Sequence, residues 1–216
     1  MSKIFFISGL GANELAFAKL GDLGVEKVMI PWIKNERKES LESYAKRLIT
    51  IHNIQSTDYL AGLSFGGIVA QTIANELGNT SVILISSFRN KSDLKLPFKL
   101  ALTLGLNKLF IPVKVPIIEN VIASVLNSGN KNNRAVLTKM IQLTDYKLMS
   151  WSMQKIADFK QPYPNLILHN IIGSKDRILK IWTNKTSFIV EGGSHFMVHD
   201  SASDITKVIQ SILDKE

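Results

Sequence analysis

The 216-residue chain contains no cysteine. That excludes disulfides and thiolate metal sites, and it is compatible with a cytoplasmic setting, which we take as the expectation. Long apolar runs are also missing. Residues 4–7 (Ile-Phe-Phe-Ile) are far too short for a leader or a membrane span. The greasiest region, 94–126, is broken by Lys95, Lys99, Lys108, Lys114 and three prolines, so it does not read as a conventional spanning helix. Repeats and low-complexity tracts are absent. Acids are in deficit, with 18 Asp and Glu against 26 Lys and Arg and a net charge of +8. The deficit is local: residues 88–150 hold ten Lys or Arg and three acids, a local charge of +7. This argues against a generally basic nucleic-acid binder and marks one basic element.

What is present is an ordinary apolar share, 45%, in a length suited to one large domain or a core with an insertion. Apolar strand-like runs fall at 3–8, 25–33, 59–63, 81–86, 165–172 and 186–190. Between them lie helical patterns: a short one at 13–20, one from the N-cap Ser40 to about Ile51, one at 67–77 closed by Gly78, and a last one with Ile205, Val208, Ile209, Ile212 and Leu213 on one face. On the second of these, Leu41, Tyr44, Ala45, Leu48 and Ile51 form the expected buried face. A short helical stretch is also expected near 177–183. Strands that are apolar without alternation, and that alternate with helices, predict a parallel sheet covered on both faces. The rhythm breaks at 88–150, where amphipathic helical pieces near 94–110, 117–127 and 132–141 replace it, and a helix at about 145–158 leads back to the core. We read an insertion there, folded over one end of the sheet.

The chain is organised around Gly62-Leu63-Ser64-Phe65-Gly66-Gly67. A strand runs into a sharp turn and then straight into a helix, with Ser64 at the apex. Gly62 and Gly66 supply the missing side chains such a turn requires, and Gly67 allows close helix–strand approach. A Gly-rich turn of a nucleotide-binding fold is the competing reading. A serine hydroxyl needs a base within reach, and the base needs a partner that fixes its tautomer. Both must lie at the carboxyl ends of the strands, where open parallel sheets bind ligands. Of four histidines, His52 ends a surface helix and His169 sits inside a strand. His195 follows the last strand on an exposed Gly-Gly-Ser loop and is the expected base. His199 makes an i, i+4 pair with it, but no third metal ligand is evident. Asp176, just past the strand at 165–172, is the expected orienting acid. Its competing reading is an N-cap, while Asp145 and Asp158 lie on helices and Glu191 is too close to His195 in sequence.

The order Ser64, Asp176, His195, each after a strand, resembles the α/β-hydrolase fold family, serine-hydrolase type, over essentially the whole chain. The resemblance implies a mainly parallel sheet flanked by helices, with a helical cap (88–144) inserted before the last two strands of a core formed by 1–87 and 145–216. It implies that the family's first two antiparallel strands are absent. It also implies Ser64 as nucleophile, with oxyanion donors at the main-chain N–H groups of Phe65 and Leu10, where Ser8 stands in place of the family's usual histidine. Leu10, Phe65, Phe88, Leu102, Leu106 and Phe196 are the expected substrate contacts. The expected activity is hydrolysis of a moderately apolar carboxylic ester, with no cofactor and no metal. An acyl thioester of CoA or carrier protein is the nearest alternative. Lyase, haloperoxidase and ligand-receptor chemistries also occur on the fold. The leucines at 94–110 either pack the insertion onto the core or line an acyl pocket. Its lysines then face solvent, an acidic carrier protein, a phosphorylated cofactor tail or an anionic membrane surface.

Overall fold

Each of the six apolar runs forms a strand in the computed structural model, which describes residues 2–78, 81–104, 124–126, 131–159 and 163–215. The strands are β1 (Lys3–Ile7), β2 (Glu26–Ile30), β3 (Tyr59–Leu63), β4 (Ser81–Ile85), β5 (Ile167–Gly173) and β6 (Ser187–Val190). They form one sheet in the order β2-β1-β3-β4-β5-β6, and every pairing is parallel. The order reverses direction at β1, which puts the carboxyl ends of β1 and β3 at the switch point where such sheets hold ligands.

The helices are α1 (Leu41–His52), α2 (Phe65–Leu77), α3 (Leu96–Thr103), α4 (Lys131–Leu143), α5 (Tyr146–Asp158), α6 (Met197–Asp200) and α7 (Ala202–Leu213). Two apolar layers sandwich the sheet. On one side Leu60, Leu84 and Ile172 meet Leu48 of α1 and Ile68 and Ile73 of α2. On the other, Ile4, Ile83 and Ile171 meet Ile205 and Ile209 of α7. Strands buried on both faces need no polar alternation, which is why they read as continuous apolar runs. Ser40 caps α1 by accepting the Ser43 N–H at 3.0 Å. Gly78 ends α2 in the left-handed region, φ +71°.

Four local expectations change. Residues 13–20 contain only a 3-10 turn, Glu14–Phe17, because Asn13 accepts the Leu15 N–H and Ala18 closes an i→i+3 bond onto Leu15. Ile51 is 57% exposed, since the buried stripe of α1 stops at Leu48. The helix after the serine turn starts two residues early, at Phe65. No helix forms at 177–183. There Leu179 bridges antiparallel to Leu94, with the Lys95 N–H on Ile178 O (2.8 Å) and the Lys180 N–H on Asp93 O (2.8 Å). Those inter-segment bonds take the groups a helix would have used.

Between β4 and β5 the described residues include α3, α4 and α5. Phe98 and Leu102 of α3 pack on one apolar layer, and Leu137, Met140 and Ile141 of α4 belong to the other. Residues 105–123 and 127–130 of the expected insertion, Leu106 included, lie outside the described residues. Among the described residues no helix is long and apolar enough to cross a membrane.

Candidate active site

The chain leaves β3 at Leu63 and enters α2 at Phe65, so Ser64 alone makes the turn, at φ +51° and ψ −118°. This is a strained conformation for a residue with a side chain, and strain of this kind clusters at functional sites. Three glycines make it accessible. A methyl on Gly62 would stand 2.3 Å from Gly66 O, one on Gly66 2.2 Å from Ile7 O, and one on Gly67 2.2 Å from Ser87 Oγ. The turn is then held from both neighbours: the Ser64 N–H donates to Ile85 O (3.0 Å) and Ser87 Oγ donates to Ser64 O (2.7 Å). The start of α2 lies directly behind the serine, and its unpaired N–H groups favour negative charge there.

His195 and Asp176 arrive from the other half of the sheet. The loops after β5 and β6 are bound to each other, with Ser174 N–H on Val190 O (3.0 Å) and Lys175 N–H on Gly193 O (2.9 Å). Gly173 and Gly193 touch so closely that a methyl on Gly173 would lie 2.2 Å from Gly193 O. Across this seam His195 Nδ1 bonds Asp176 Oδ2 at 2.8 Å, and His195 Nε2 bonds Ser64 Oγ at 3.0 Å. The three side chains therefore form one hydrogen-bonded line. His195 is only 4% exposed, not on an open loop as its glycines suggest, because Asp176 and the neighbouring turn enclose it. Asp176 Oδ1 accepts the N–H groups of Ile178 (2.8 Å) and Leu179 (2.9 Å). Asp176 thus satisfies those donors as an N-cap would, although no helix follows.

Burial alone would raise the Asp176 carboxyl, but the His195 imidazole and the two N–H bonds outweigh it, and the net shift is downward from 3.8. A depressed carboxyl contributes stability at pH values above its ordinary range. That contribution drains away as the pH falls through the lower folded value. Asp176 is therefore ionised at neutral pH and remains the acceptor that fixes the imidazole tautomer. The side chain of Lys95 reaches the main-chain carbonyl of Asp176, so this lysine is tied to the site rather than facing solvent.

No protein-family profile and no curated protein sequence matches the chain. Solved structures do match. The bromoperoxidase assignment BpoC from Mycobacterium tuberculosis superposes with a TM-score of 0.75 at 11% identity, covering 100% of this chain and 92% of that one. The hydrolase olei00960 from Oleispira antarctica gives 0.74 at 13%, with the same coverages. The esterase EaEST from Exiguobacterium antarcticum gives 0.70 at 12%, covering 99% and 92%. The chain has the α/β-hydrolase fold.

In this α/β-hydrolase fold the loop after β1 lies against the serine turn. Gly9, Leu10, Gly11 and Ala12 form a tight turn with the Ala12 N–H on Gly9 O (3.0 Å) and Gly11 at φ +74°. Gly9 packs against the serine, since a methyl on it would stand 3.2 Å from Ser64 Cβ. The turn's own hydrogen bond does not use the Leu10 N–H. Ser8, where the α/β-hydrolase fold usually has histidine, is buried and donates its hydroxyl to Ala12 O at 3.0 Å. The loop is thus supported by a different side chain.

The remaining sequence-derived contacts separate. Leu10 is half-buried and touches both apolar layers. Phe65 is fully buried, its ring stacked on Trp32 at 5.6 Å and edge-on to Trp151 at 6.0 Å. Phe88 lies in the core against Phe159. Leu102 is half-buried on the same layer. Phe196 is buried beside His195, stacked on His199 at 5.4 Å, with its N–H on Leu126 O (3.0 Å). His169 lies buried within β5, and Glu191 accepts the Ser174 hydroxyl. Two residues near the site carried no sequence signal of their own, Ser87 and Trp32. Ser87 follows the carboxyl end of β4, which pairs with β3, and Trp32 that of β2, one strand further out beyond β1; position past a strand end is the clue the chain offers.

Proposed function

We propose that the protein is a serine hydrolase that cleaves a moderately apolar carboxylic ester through an acyl-enzyme on Ser64. The observation that carries this reading is the line Ser64 Oγ–His195 Nε2–Asp176 Oδ2, at 3.0 and 2.8 Å, on a strained strand-to-helix turn. Neighbours named as an esterase and a hydrolase are consistent with it. Ser64 Oγ bonds to the ester carbonyl carbon as its proton passes to His195 Nε2, and the carbonyl π electrons move to oxygen. The N–H groups of Leu10 and Phe65 receive that oxyanion. Collapse breaks the bond to the alkoxy group, which leaves as the alcohol with the proton from His195. Water then adds to the acyl carbon, giving its proton to His195, and the second collapse returns that proton to Ser64 and releases the acid. Asp176 stays ionised throughout and keeps the imidazole oriented.

The segment at 88–144 is proposed as the cap that shapes the substrate side of the site. A fluorophosphonate probe tests the nucleophile. Wild-type protein is expected to label stoichiometrically and Ser64→Ala not at all, with kcat lower by about 10⁴-fold or more. Equal labelling of both proteins removes Ser64 from the role. For the substrate, rates on p-nitrophenyl esters are expected to rise from acetate through medium chain lengths. A profile that is flat or falls beyond acetate defeats the apolar acyl site, and faster turnover of acyl-CoA than of any ester selects the thioester instead.

A further inference from the structure

We propose that Trp32 is a positioning residue for the oxyanion site, tying its two halves together; the inference rests on the serine-hydrolase reading above. The two expected donors come from separate parts of the chain, Leu10 on the loop after β1 and Phe65 at the start of α2. Trp32 touches both parts. Its indole N–H donates to Ala12 O at 3.1 Å, the carbonyl that also accepts Ser8 Oγ at 3.0 Å. Its ring lies nearly parallel to that of Phe65, 5.6 Å between centroids at 19°.

The geometry makes this more than packing. A carbonyl oxygen has two lone pairs, and Ala12 O spends both on side chains from outside the turn. With its N–H closing the turn on Gly9 O, Ala12 is held by three bonds and cannot shift without breaking one. The Leu10 N–H belongs to the peptide whose carbonyl, Gly9 O, accepts the Ala12 N–H, and Gly9 packs against Ser64, so fixing Ala12 fixes the direction of the Leu10 N–H. Trp32 is itself anchored one residue on. The Tyr44 hydroxyl donates to Ile33 O (2.9 Å) and accepts the Ile33 N–H (3.2 Å). Tyr44 is fully buried, and burial pushes its phenol far above the ordinary value of 10.0, so it remains a protonated donor. An oxyanion donor works only when it is fixed at hydrogen-bonding distance from where charge develops. A clasp from Tyr44 through Trp32 to Ala12 and Phe65 provides that fixity, and Ser8 alone supplies only one of its bonds.

Trp32→Phe removes the indole N–H and keeps an aromatic ring against Phe65. Incorporation of β-(3-benzothienyl)alanine at position 32 removes the same N–H with the two-ring shape retained, so a folding defect in the first variant is controlled by the second. Both are expected to lower kcat about tenfold with KM within twofold, less than the 10²–10³ lost with a donor itself. Affinity for a boronic acid or trifluoromethyl ketone that mimics the tetrahedral state should fall by the same factor, and the melting temperature of the benzothienyl form should stay at the wild-type value. Wild-type kcat and analogue affinity in the benzothienyl protein overturn the proposal. So does a loss confined to KM, or one that follows melting temperature alone. If the wild-type protein does not label with fluorophosphonate, the serine-hydrolase reading fails first and this inference falls with it. Normal labelling with an inert Trp32 sinks only the inference.

Discussion

Asp176→Asn is expected to lower kcat by about four orders of magnitude while leaving the melting temperature close to that of the wild type. The asymmetry comes from the two oxygens having different partners. Oδ1 accepts the main-chain N–H groups of Ile178 and Leu179, and the amide oxygen of Asn can accept the same two bonds. Oδ2 faces His195 Nδ1 at 2.8 Å, and there Asn presents an NH2 group. An N–H aimed at Nδ1 demands the tautomer whose proton sits on Nε2, and that nitrogen can no longer take the proton of Ser64. Asp176→Ala should behave differently, losing the loop bonds as well and melting at lower temperature. Steady-state kinetics with thermal unfolding on the three proteins separates the cases. A kcat unchanged in Asp176→Asn transfers the orienting role to another acid.

Gly66→Ala is expected to destabilise the fold severely. The added methyl would sit 2.2 Å from Ile7 O, 2.3 Å from Ser8 O and 2.7 Å from Ile7 C. All three are main-chain atoms of β1 and its exit, held by pairing with β2 and β3, so no side-chain rotation relieves the overlap. Separating the helix from the sheet there forfeits packing along α2, and a destabilisation of at least about 4 kcal/mol follows. For a chain of this length that is a fall of roughly 8–16 °C in melting temperature, or insoluble protein. Gly78→Ala is the control. Its φ is +71°, yet nothing lies within 4 Å of the new methyl, so only the left-handed backbone penalises it, by about 1 kcal/mol. Similar melting temperatures for the two variants would mean that the close approach at Gly66 is not what the turn depends on.

Legibility in the sequence followed the range of the interactions. The strands β1 to β6 were visible because each is a short unbroken apolar run, and burial on both faces produces that pattern. Caps at Ser40 and Gly78 were visible because they act within one turn of helix. The helix expected at 177–183 failed for the opposite reason. Its backbone groups are claimed by Asp93, Leu94 and Lys95, more than 80 residues earlier in the chain, and no local propensity reports that. The exposure expected for His195 failed likewise, since the two glycines before it suggest a loose loop, whereas Gly193 lets that loop meet Gly173 at the end of β5. Ser8 could be seen to replace a histidine, but its bond to Ala12 O could not be.

The amino-acid order by itself determined the parallel sheet and the serine turn, because glycine spacing and apolar periodicity act over a few residues and need no distant partner. It also limited the base and the acid to residues just past a strand. Only the tertiary structure decided that His195 stands 3.0 Å from a serine 131 residues away and 2.8 Å from Asp176. It alone decided that a tryptophan past β2 bonds the loop after β1 and stacks on the first residue of α2. Side chains distant in sequence meet only where the sheet order and the close-packed turns bring their strand ends together, and that convergence is a property of the assembled fold.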